Sequence, residues 1–384
     1  MKTVITAARL LTPGKAIDHP VLVIEDERIM ALGSREQLVI PAGARLHDFP
    51  NEILAPGFID IHIHGGSGHD VMELSASSLA AIESGIVKHG VTSYLPTTVT
   101  APLPDTLRSL EHLGKAVAAK NGPGRARPLG IHLEGPFISH AKRGVHPPDN
   151  LLRPSSKILR QFYEASGGTV RMMTIAPEIE GGVETIVEAS TLGIHISLGH
   201  SNATFFEANA GIEAGARHAT HTFNAMRPLD HREPGILGAV LSDDRVTADI
   251  IADGLHVDPA VIKVFLRAKG IDRTILITDA ISATGMPDGI YKLGGFEVKV
   301  RGNRCDLDGK LAGSVLTLDQ AVRNVMKFVP LPLEDAVRLV TLNPARLLGL
   351  SDPHGTLAAG QMADIVVLTP SSEVVTTMAA GQFA

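Results

Sequence analysis

The residues best suited to chemistry in this sequence are histidines, and two of them stand at the end of an apolar segment. The stretch Phe58-Ile-Asp-Ile-His-Ile-His-Gly-Gly66 is typical of a buried strand, with His62 and His64 two positions apart. Because side chains alternate across a strand, both imidazoles project from one face. Two adjacent imidazoles can form half of a metal site, although a His-x-His pattern alone is equally compatible with ordinary loop histidines.

Further metal-ligating side chains follow other apolar runs of the sequence. They are His132, Glu134, His200, His218, His221, Asp253, His256 and Asp279. Of these, His218 could face the helix layer and is not expected to be a ligand. If these runs are parallel strands of a barrel, the polar residues meet at one rim, because the carboxyl ends of such strands carry the chemistry. Each residue alone could be a helix cap or a surface residue. Together they match the imidazole and carboxylate ligands that zinc or ferrous iron prefers.

The apolar runs recur at a steady interval, which defines the elements that would position these residues. The eight predicted strands are residues 58–63, 91–97, 129–133, 170–175, 194–198, 216–222, 247–251 and 274–278. Segments with helical periodicity lie between most of them, for example 79–89, 103–119 and 258–268. This alternation predicts an α/β fold, specifically a (β/α)8 TIM barrel rather than an open doubly wound sheet.

Both ends of the chain differ from this middle part. Residues 1–54 and 346–384 contain short alternating segments broken by glycine and proline, which predicts a small β-sandwich domain built from both termini. Residues 55–345 are then the barrel. A β-hairpin is expected within residues 285–309, inserted after the eighth strand and near the site.

Composition excludes several classes of partner. The net charge of −6 argues against a nucleic acid or an anionic membrane surface as a partner. The single cysteine, Cys305, cannot form an intrachain disulfide. We expect a soluble cytoplasmic protein, since the sequence contains no signal-like segment and no run of 18 apolar residues. Nucleotide-binding glycine motifs are absent as well.

Seven motifs carry a resemblance to known enzymes. They are Ala55-Pro-Gly-Phe-Ile-Asp-Ile-His-Ile-His-Gly65, His132-Leu-Glu-Gly-Pro-Phe137, Leu198-Gly-His-Ser201, Thr220-His-Thr-Phe-Asn-Ala-Met226, Arg232-Glu-Pro-Gly235, Asp253-Gly-Leu-His256 and Thr278-Asp-Ala280. The chain thereby resembles the metal-dependent amidohydrolase superfamily and, within it, the N-acetylglucosamine-6-phosphate deacetylase family. The first motif is typical of the whole superfamily, whereas Glu-Gly-Pro-Phe, Phe-Asn-Ala-Met and Arg-Glu-Pro-Gly are typical of the deacetylases.

The resemblance implies a divalent metal cofactor, with zinc or iron expected and one or two ions per subunit. Glu134, His200 and His221 would hold one ion. His62 and His64, together with Glu134 and Asp279, could hold a second. Relatives that open cyclic amides instead use a carboxylated lysine as the bridging ligand, so Glu134 favours the deacetylases.

The resemblance also implies catalytic roles for two residues. Asp279 would accept a proton from the attacking water and pass it to the departing amine. His146, in Gly144-Val-His-Pro-Pro148, would help to stabilise the oxyanion formed from the acetyl oxygen. Without the resemblance, His146 would be interpreted as an ordinary loop histidine.

Substrate-binding residues follow from the same resemblance. Arg232 and His256 would bind the phosphate of a sugar-phosphate substrate, and Asn224 and Ala225 would contact the sugar. Arg232 is expected to reach the site of a neighbouring subunit, which implies a homodimer. A surface salt bridge is the plain alternative for Arg232.

The predicted activity is removal of acetate from N-acetyl-D-glucosamine 6-phosphate in amino-sugar catabolism and recycling. One alternative keeps the metal site but changes the substrate to another N-acetylated amino sugar or an N-acyl amino acid. Another is a non-catalytic relative, which is disfavoured because every expected ligand residue is in place.

Overall fold

The computed structural model of the protein describes residues 2–119, 122, 124–352 and 354–384. Its strands are, in chain order, β1 (Lys2–Thr12), β2 (Lys15–Asp18), β3 (Pro20–Glu25), β4 (Arg28–Ser34), β5 (Arg45–Pro56), β6 (Phe58–Ile63), β7 (Gly65–Gly66), β8 (His69–Asp70), β9 (Val91–Thr98), β10 (Arg127–Pro128), β11 (Ile131–Glu134), β12 (Val170–Ile175), β13 (His195–Leu198), β14 (His218–Ala219), β15 (Thr247–Ile251), β16 (Thr274–Ile277), β17 (Gly289–Leu293), β18 (Phe296–Arg301), β19 (Arg304–Leu307), β20 (Lys310–Leu311), β21 (Ile365–Leu368), β22 (Val374–Ala379) and β23 (Gln382–Phe383). Its α-helices are α1 (Ala76–Ile86), α2 (Leu103–Ala118), α3 (Ser156–Ala165), α4 (Gly182–Thr191), α5 (Phe205–Ala214), α6 (Gly235–Ser242), α7 (Pro259–Lys269), α8 (Leu318–Phe328), α9 (Leu333–Arg338) and α10 (Leu342–Leu347).

The middle of the chain forms a parallel sheet. Its strands pair in the order β6, β9, β11, β12, β13, β14, β15, β16, and the short β10 also pairs with β9. The end of β6 lies beside the end of β16, because Ile63 forms a parallel bridge with Ala280. Next to this bridge the backbone N–H of Asp279 donates to the carbonyl oxygen of His62 at 2.9 Å. The chain therefore has an α/β fold in which the first and last parallel strands are neighbours.

All eight predicted strands are present in this sheet, most of them within two residues of the expected ends. The exception is β14, which covers only His218–Ala219 instead of residues 216–222. Just beyond it, His221 and Phe223 have φ angles of 30° and 82°. Positive φ is incompatible with extended backbone. β14 therefore ends before His221, which the prediction placed within the strand.

The helices pack their apolar faces onto the parallel sheet. Leu110 and Leu113 on α2 are fully buried, as are Ile262 and Phe265 on α7, and both pairs are spaced three residues apart along one helix face. These side chains join the strands in a single large apolar core. Within the described part of the chain, no helix is both long and apolar enough to cross a membrane.

Both termini contribute to a second sheet, whose order is β23, β22, β21, β5, β1, β3, β4, with β2 also paired to β1. The long strand β5 is central to it, because β5 runs parallel to β1 and antiparallel to β21. Apolar residues from distant strands, including Ile5, Leu22 and Ile365, share one buried cluster. Only one residue, Gly57, separates β5 from β6, so the two sheets are directly joined.

The hairpin predicted after the last parallel strand is confirmed, and it is part of a larger unit. Strands β17 to β20 form a four-stranded antiparallel sheet, which is called the insertion below. Its first turn is fixed to the loop after β6, because the backbone N–H of Gly294 donates to Oδ2 of Asp70 at 2.7 Å. The hydroxyl of Ser282 adds a hydrogen bond to the carbonyl of Lys292. The insertion is therefore held against the carboxyl edge of the parallel sheet.

A buried carboxyl group joins helix α1 to strand β9. Oη of Tyr94 donates to Oε1 of Glu83 at 3.3 Å, and the guanidinium of Arg125 lies 3.5 Å from Oε2. Burial raises the pKa of Glu83 to about 7, because it outweighs the opposing effects of Arg125 and Tyr94. Protonation of Glu83 thus stabilises the folded state. This stabilisation is complete at pH values below 4.5, the ordinary pKa of the group.

We predict that this stabilisation is lost as pH rises through about 7. Glu83→Gln mimics the protonated carboxyl at every pH. The free energy of unfolding of this variant minus that of the unsubstituted protein should therefore rise by about 2 kcal/mol from pH 5 to pH 8. Urea unfolding of both proteins at the two pH values measures this difference. An unchanged difference would mean that Glu83 is not protonated in the fold.

Candidate metal centre and substrate cavity

Six side chains with ligand atoms meet at the carboxyl edge of the parallel sheet. They are His62, His64, Glu134, His200, His221 and Asp279. Oε1 of Glu134 is 3.0 Å from Nε2 of His221 and 3.2 Å from Nε2 of His200. On the other side, Oε2 of Glu134 is 3.3 Å from Nε2 of His64. The carboxylate of Glu134 therefore belongs to one group of three possible ligands and also contacts His64 of a second group.

Each of the predicted ligand residues is brought into this cluster. His62, His64 and Asp279 form one group, with Oδ1 of Asp279 at 3.4 and 3.1 Å from the Nε2 atoms of His62 and His64. Glu134, His200 and His221 form the other, and within each group the ligand atoms lie within 4.8 Å of one another. All six residues are buried. The predicted second set also included Glu134, which belongs to the other group here; that either group binds an ion stays a prediction.

Backbone turns at the strand ends aim three of these side chains at the centre. His200, His221 and Asp279 each stand two residues beyond the last residue of β13, β14 and β16. Their φ angles are 48°, 30° and 51°, in the left-handed region that non-glycine residues rarely adopt. Such residues cost about 1–3 kcal/mol each and concentrate at functional sites.

The hydrogen bonds of two histidines test whether a cation fits. Nδ1 of His64 lies 2.9 Å from the carbonyl oxygen of Thr97, and Nδ1 of His200 lies 2.9 Å from that of Lys142. A carbonyl oxygen only accepts, so each Nδ1 carries a proton. In the neutral ring, Nε2 then presents a lone pair to the carboxylates. The lone pairs of Nε2 and of the carboxylate oxygen atoms then face each other, which is stable only around a positive charge. The donor set therefore fits a metal ion.

The charges of the site lead to the same conclusion. Burial would raise the pKa of Glu134, but the charge of His62 and the contacts with the neighbouring histidines hold it well below its usual range. Burial would also lower the pKa of His221, yet its hydrogen bond to Glu134 raises it to about 9. Glu134 thus keeps its negative charge even though it is buried, and a buried negative charge among imidazoles favours a bound cation.

His146 presents a proton to the same centre. The backbone N–H of Thr100 donates to Nδ1 of His146 at 3.3 Å, and Oγ1 of Thr100 lies 2.8 Å from the same atom. Because Nδ1 accepts, the neutral ring carries its proton on Nε2, which lies 3.6 Å from Oε2 of Glu134. His146 can therefore donate a hydrogen bond to an oxygen atom bound beside Glu134.

A cavity of about 180 Å³ opens onto this cluster. Of the predicted site residues it is lined by His64, Glu134, His146, His200, His221, Asn224, Ala225, His256 and Asp279. His62 lies beneath the cavity and is fully buried. Arg232 is exposed and does not line the cavity of its own chain within the described residues. That a second subunit receives Arg232 stays a prediction.

His256 is held at the cavity by a neighbouring carboxylate. Nδ1 of His256 lies 2.7 Å from Oδ2 of Asp253. Burial would raise the pKa of Asp253, but the hydrogen bond and charge of His256 lower it. With Nδ1 occupied in this way, Nε2 of His256 is available to a ligand. Asn224 is partly engaged, since its Nδ2 donates to the carbonyl of His221 at 3.3 Å.

Sequence reasoning missed the residue pair that supports His221. The carboxylate of Asp249 accepts from the backbone N–H of His221, and its Oδ2 also lies 2.9 Å from Nε2 of His218. Both side chains are completely buried. The available signal was the single charge in the apolar strand Thr247–Ile251, because a buried carboxylate needs a partner. His218 is thus a partner of Asp249 and not a ligand.

A protein-family model described as the amidohydrolase family matches residues 53–384. The chain belongs to the amidohydrolase family.

Individual relatives narrow this class further. N-acetylglucosamine-6-phosphate deacetylase of Bacillus subtilis (strain 168) is 36% identical over 378 residues, covering 98% of this chain and 95% of the relative. N-acetylgalactosamine-6-phosphate deacetylase of Escherichia coli O157:H7 is 38% identical over 385 residues and covers 100% of both chains. A solved structure of mutant N-acetyl-D-glucosamine-6-phosphate deacetylase from Mycobacterium smegmatis, in complex with N-acetyl-D-glucosamine-6-phosphate, has 37% identity, a TM-score of 0.92 and coverage of 100% and 99%.

We predict that Asp249→Asn weakens metal binding by about 10- to 100-fold, the usual effect of removing support behind a ligand. The single amide oxygen cannot accept from both His221 and His218, so the backbone of His221 becomes less fixed. Competition with a chromogenic zinc chelator measures the affinity. Asp319→Asn is the matched control, because Asp319 pairs with His89 away from the cavity, at 3.1 Å. Equal zinc affinities of both variants would contradict the prediction.

Proposed function

We propose that the protein hydrolyses the acetamide of N-acetyl-D-glucosamine 6-phosphate to D-glucosamine 6-phosphate and acetate, in amino-sugar catabolism and recycling. The observation that carries this proposal is the cluster of buried histidines around Glu134, which shares one cavity with His146 and Asp279. Relatives with this activity in their names, similar over nearly the whole chain, support it. A cytoplasmic location, expected from the composition, is part of the proposal.

The fold we propose for this activity is a closed (β/α)8 barrel of residues 55–345. Its closure is supported by the Ile63–Ala280 bridge and by Thr278, whose hydroxyl donates to Asp60 at 2.6 Å between the first and last strands. Residues 1–54 and 346–384 would form the β-sandwich domain. A bridge between Arg28 and Met362 supports this, because it joins β4, at one end of the mixed sheet, to the segment before β21.

The proposed cofactor is a divalent metal, zinc or ferrous iron, since imidazole and carboxylate donors suit both. Glu134, His200 and His221 would hold one ion. His62 and His64, together with Glu134 and Asp279, would hold a second where two are bound. A bound divalent cation makes water a nucleophile near neutral pH and polarises a carbonyl oxygen.

The chain's own residues would then carry out two tasks. The Nε2–H of His146 donates to the acetyl oxygen as negative charge develops there, a contribution typically worth about 2.7–4 kcal/mol. Asp279 accepts a proton from the attacking water and returns it to the amine nitrogen as the C–N bond breaks. Despite burial, hydrogen bonding to His64 lowers the pKa of Asp279 to about 2, which keeps it in the accepting form.

Phosphate recognition would involve a second subunit. His256 lines the cavity and can donate from Nε2 to a phosphate oxygen. Arg232, which is exposed in its own chain, would supply the planar, bidentate guanidinium that phosphate favours. Asn224 and Ala225 would contact the sugar. The proposed assembly is therefore a homodimer whose sites are each completed by the partner's Arg232.

A second candidate substrate is N-acetyl-D-galactosamine 6-phosphate, the C4 epimer. The observation that favours it is the 38% identity over the full length of the Escherichia coli relative with that name. Both sugars present the same acetamide and phosphate, so the metal centre serves either of them. The choice depends on groups around the sugar ring.

We predict metal-dependent release of amine from N-acetyl-D-glucosamine 6-phosphate, much slower release from the unphosphorylated sugar, and loss of activity after chelation. Parallel assays with the C4 epimer, on protein stripped and reloaded with zinc or ferrous iron, decide between the two substrates. Asp279→Asn should bind zinc at Glu134, His200 and His221 but lose about 10²–10⁴-fold in kcat. No turnover of any N-acetyl sugar phosphate with either metal would overturn the proposed function.

Mixing two variants, each defective in the hydrolysis of the phosphorylated substrate, tests the dimer. Arg232→Ala should lose the preference for phosphorylated substrate, and Asp279→Asn should lose turnover. If Arg232 acts in the neighbouring site, mixed dimers contain one complete site, and random exchange restores about a quarter of the original activity. Subunit exchange followed by the amine-release assay measures this recovery. Activity that stays at the sum of the separate variants would place Arg232 in its own site or outside both.

A further inference from the structure

The cavity has two chemically different walls. One wall is polar and contains Asn224 and His256, which follow β14 and β15. Another part of the lining is apolar and contains Val99, Leu293 and Ala312. These three side chains are 2–3% exposed and belong to one buried apolar cluster.

The apolar wall is contributed mainly by the insertion. Leu293 ends β17 and Ala312 follows β20, whereas Val99 follows the parallel strand β9. The turn after Leu293 is fixed, because Gly294 donates to the buried carboxylate of Asp70 at 2.7 Å. A Cβ atom added to Gly294 would lie 3.4 Å from Cβ of Val99, so the turn already packs closely on that residue. This wall cannot move away easily to admit a larger group.

The two walls correspond to the two sides of the amide in the proposed reaction, and the inference rests on that function. The acyl carbon carries an oxygen atom, a nitrogen atom and the acyl chain. In that reaction His146 would contact the oxygen, and the nitrogen would lead to the sugar and phosphate at the polar wall. The acyl chain would then point away from the sugar, and Val99, Leu293 and Ala312 are among the apolar side chains of the cavity that could receive it.

We propose that Leu293, with Val99 and Ala312, determines which acyl groups the enzyme removes. The wall accepts the methyl group of an acetamide and excludes longer acyl chains by overlap with Leu293. The insertion is thus a specificity element, and the metal centre itself is indifferent to acyl length.

The test compares 6-phosphates of N-acetyl-, N-propionyl- and N-butyrylglucosamine as substrates of the full-length, metal-loaded protein. Leu293→Ala should raise the ratio of kcat/KM for N-butyryl over N-acetyl substrate by at least about 10-fold, since one methylene group changes discrimination by about 10–200-fold. Val298→Ala is the matched control. Val298 is fully buried in the same cluster but does not line the cavity, so the ratio should stay unchanged.

The outcomes separate this inference from the proposed function. If the unsubstituted protein hydrolyses no acylated sugar phosphate, the proposed function fails. If it hydrolyses the N-acetyl substrate and Leu293→Ala alters all three substrates by the same factor, only the acyl-specificity inference fails. Should Leu293→Ala not fold, Val99→Ala enlarges the same wall from the parallel sheet, and an unchanged ratio in that variant overturns the inference.

Discussion

The negative charge of Glu134, buried at the edge of the parallel sheet, is the constraint on which the site depends. An unpaired carboxylate in such a place would cost several kcal/mol. Nε2 atoms of His221, His200 and His146 lie 3.0, 3.2 and 3.6 Å from its oxygen atoms. Since each histidine comes from a different strand end or loop, the charge fixes their mutual positions. The same charge makes the centre attractive to a divalent cation.

Strained backbone at the strand ends is needed to bring these side chains together at one point. In a regular strand, side chains beyond the sheet edge would continue to alternate, and only some would face the centre. Left-handed residues at His200, His221 and Asp279 redirect them. Neighbouring segments hold each turn in place: the N–H of Ser139 donates to the carbonyl of His200 at 2.8 Å, and that of Ser314 to the carbonyl of Asp279 at 2.8 Å. The surrounding sheet therefore maintains the strain.

Much of the site could be predicted from sequence because its ligands are local features of strand ends. His62 and His64 follow from alternation along one strand, and Glu134 lies at the end of another. What could not be predicted depends on register between segments far apart in the chain. The contact of Asp249 with His221 and the contact of Asp70 with Gly294, 224 residues apart, are of this kind. The early end of β14 was missed because no glycine or proline marks that turn.

The residues of the metal centre and the residues proposed to select the acyl group lie on different elements. The second set can therefore change without disturbing Glu134. Residues that contact the carboxylate belong to the parallel sheet edge or, as His146, to a loop beside it, and any shift there would expose or unpair a buried charge. The insertion contacts this edge through a few hydrogen bonds and an apolar surface. Its own core, which includes Val298 and Val300, is a separate cluster from that of the parallel sheet. Changes in cavity shape can therefore arise in the insertion at little cost to the metal centre.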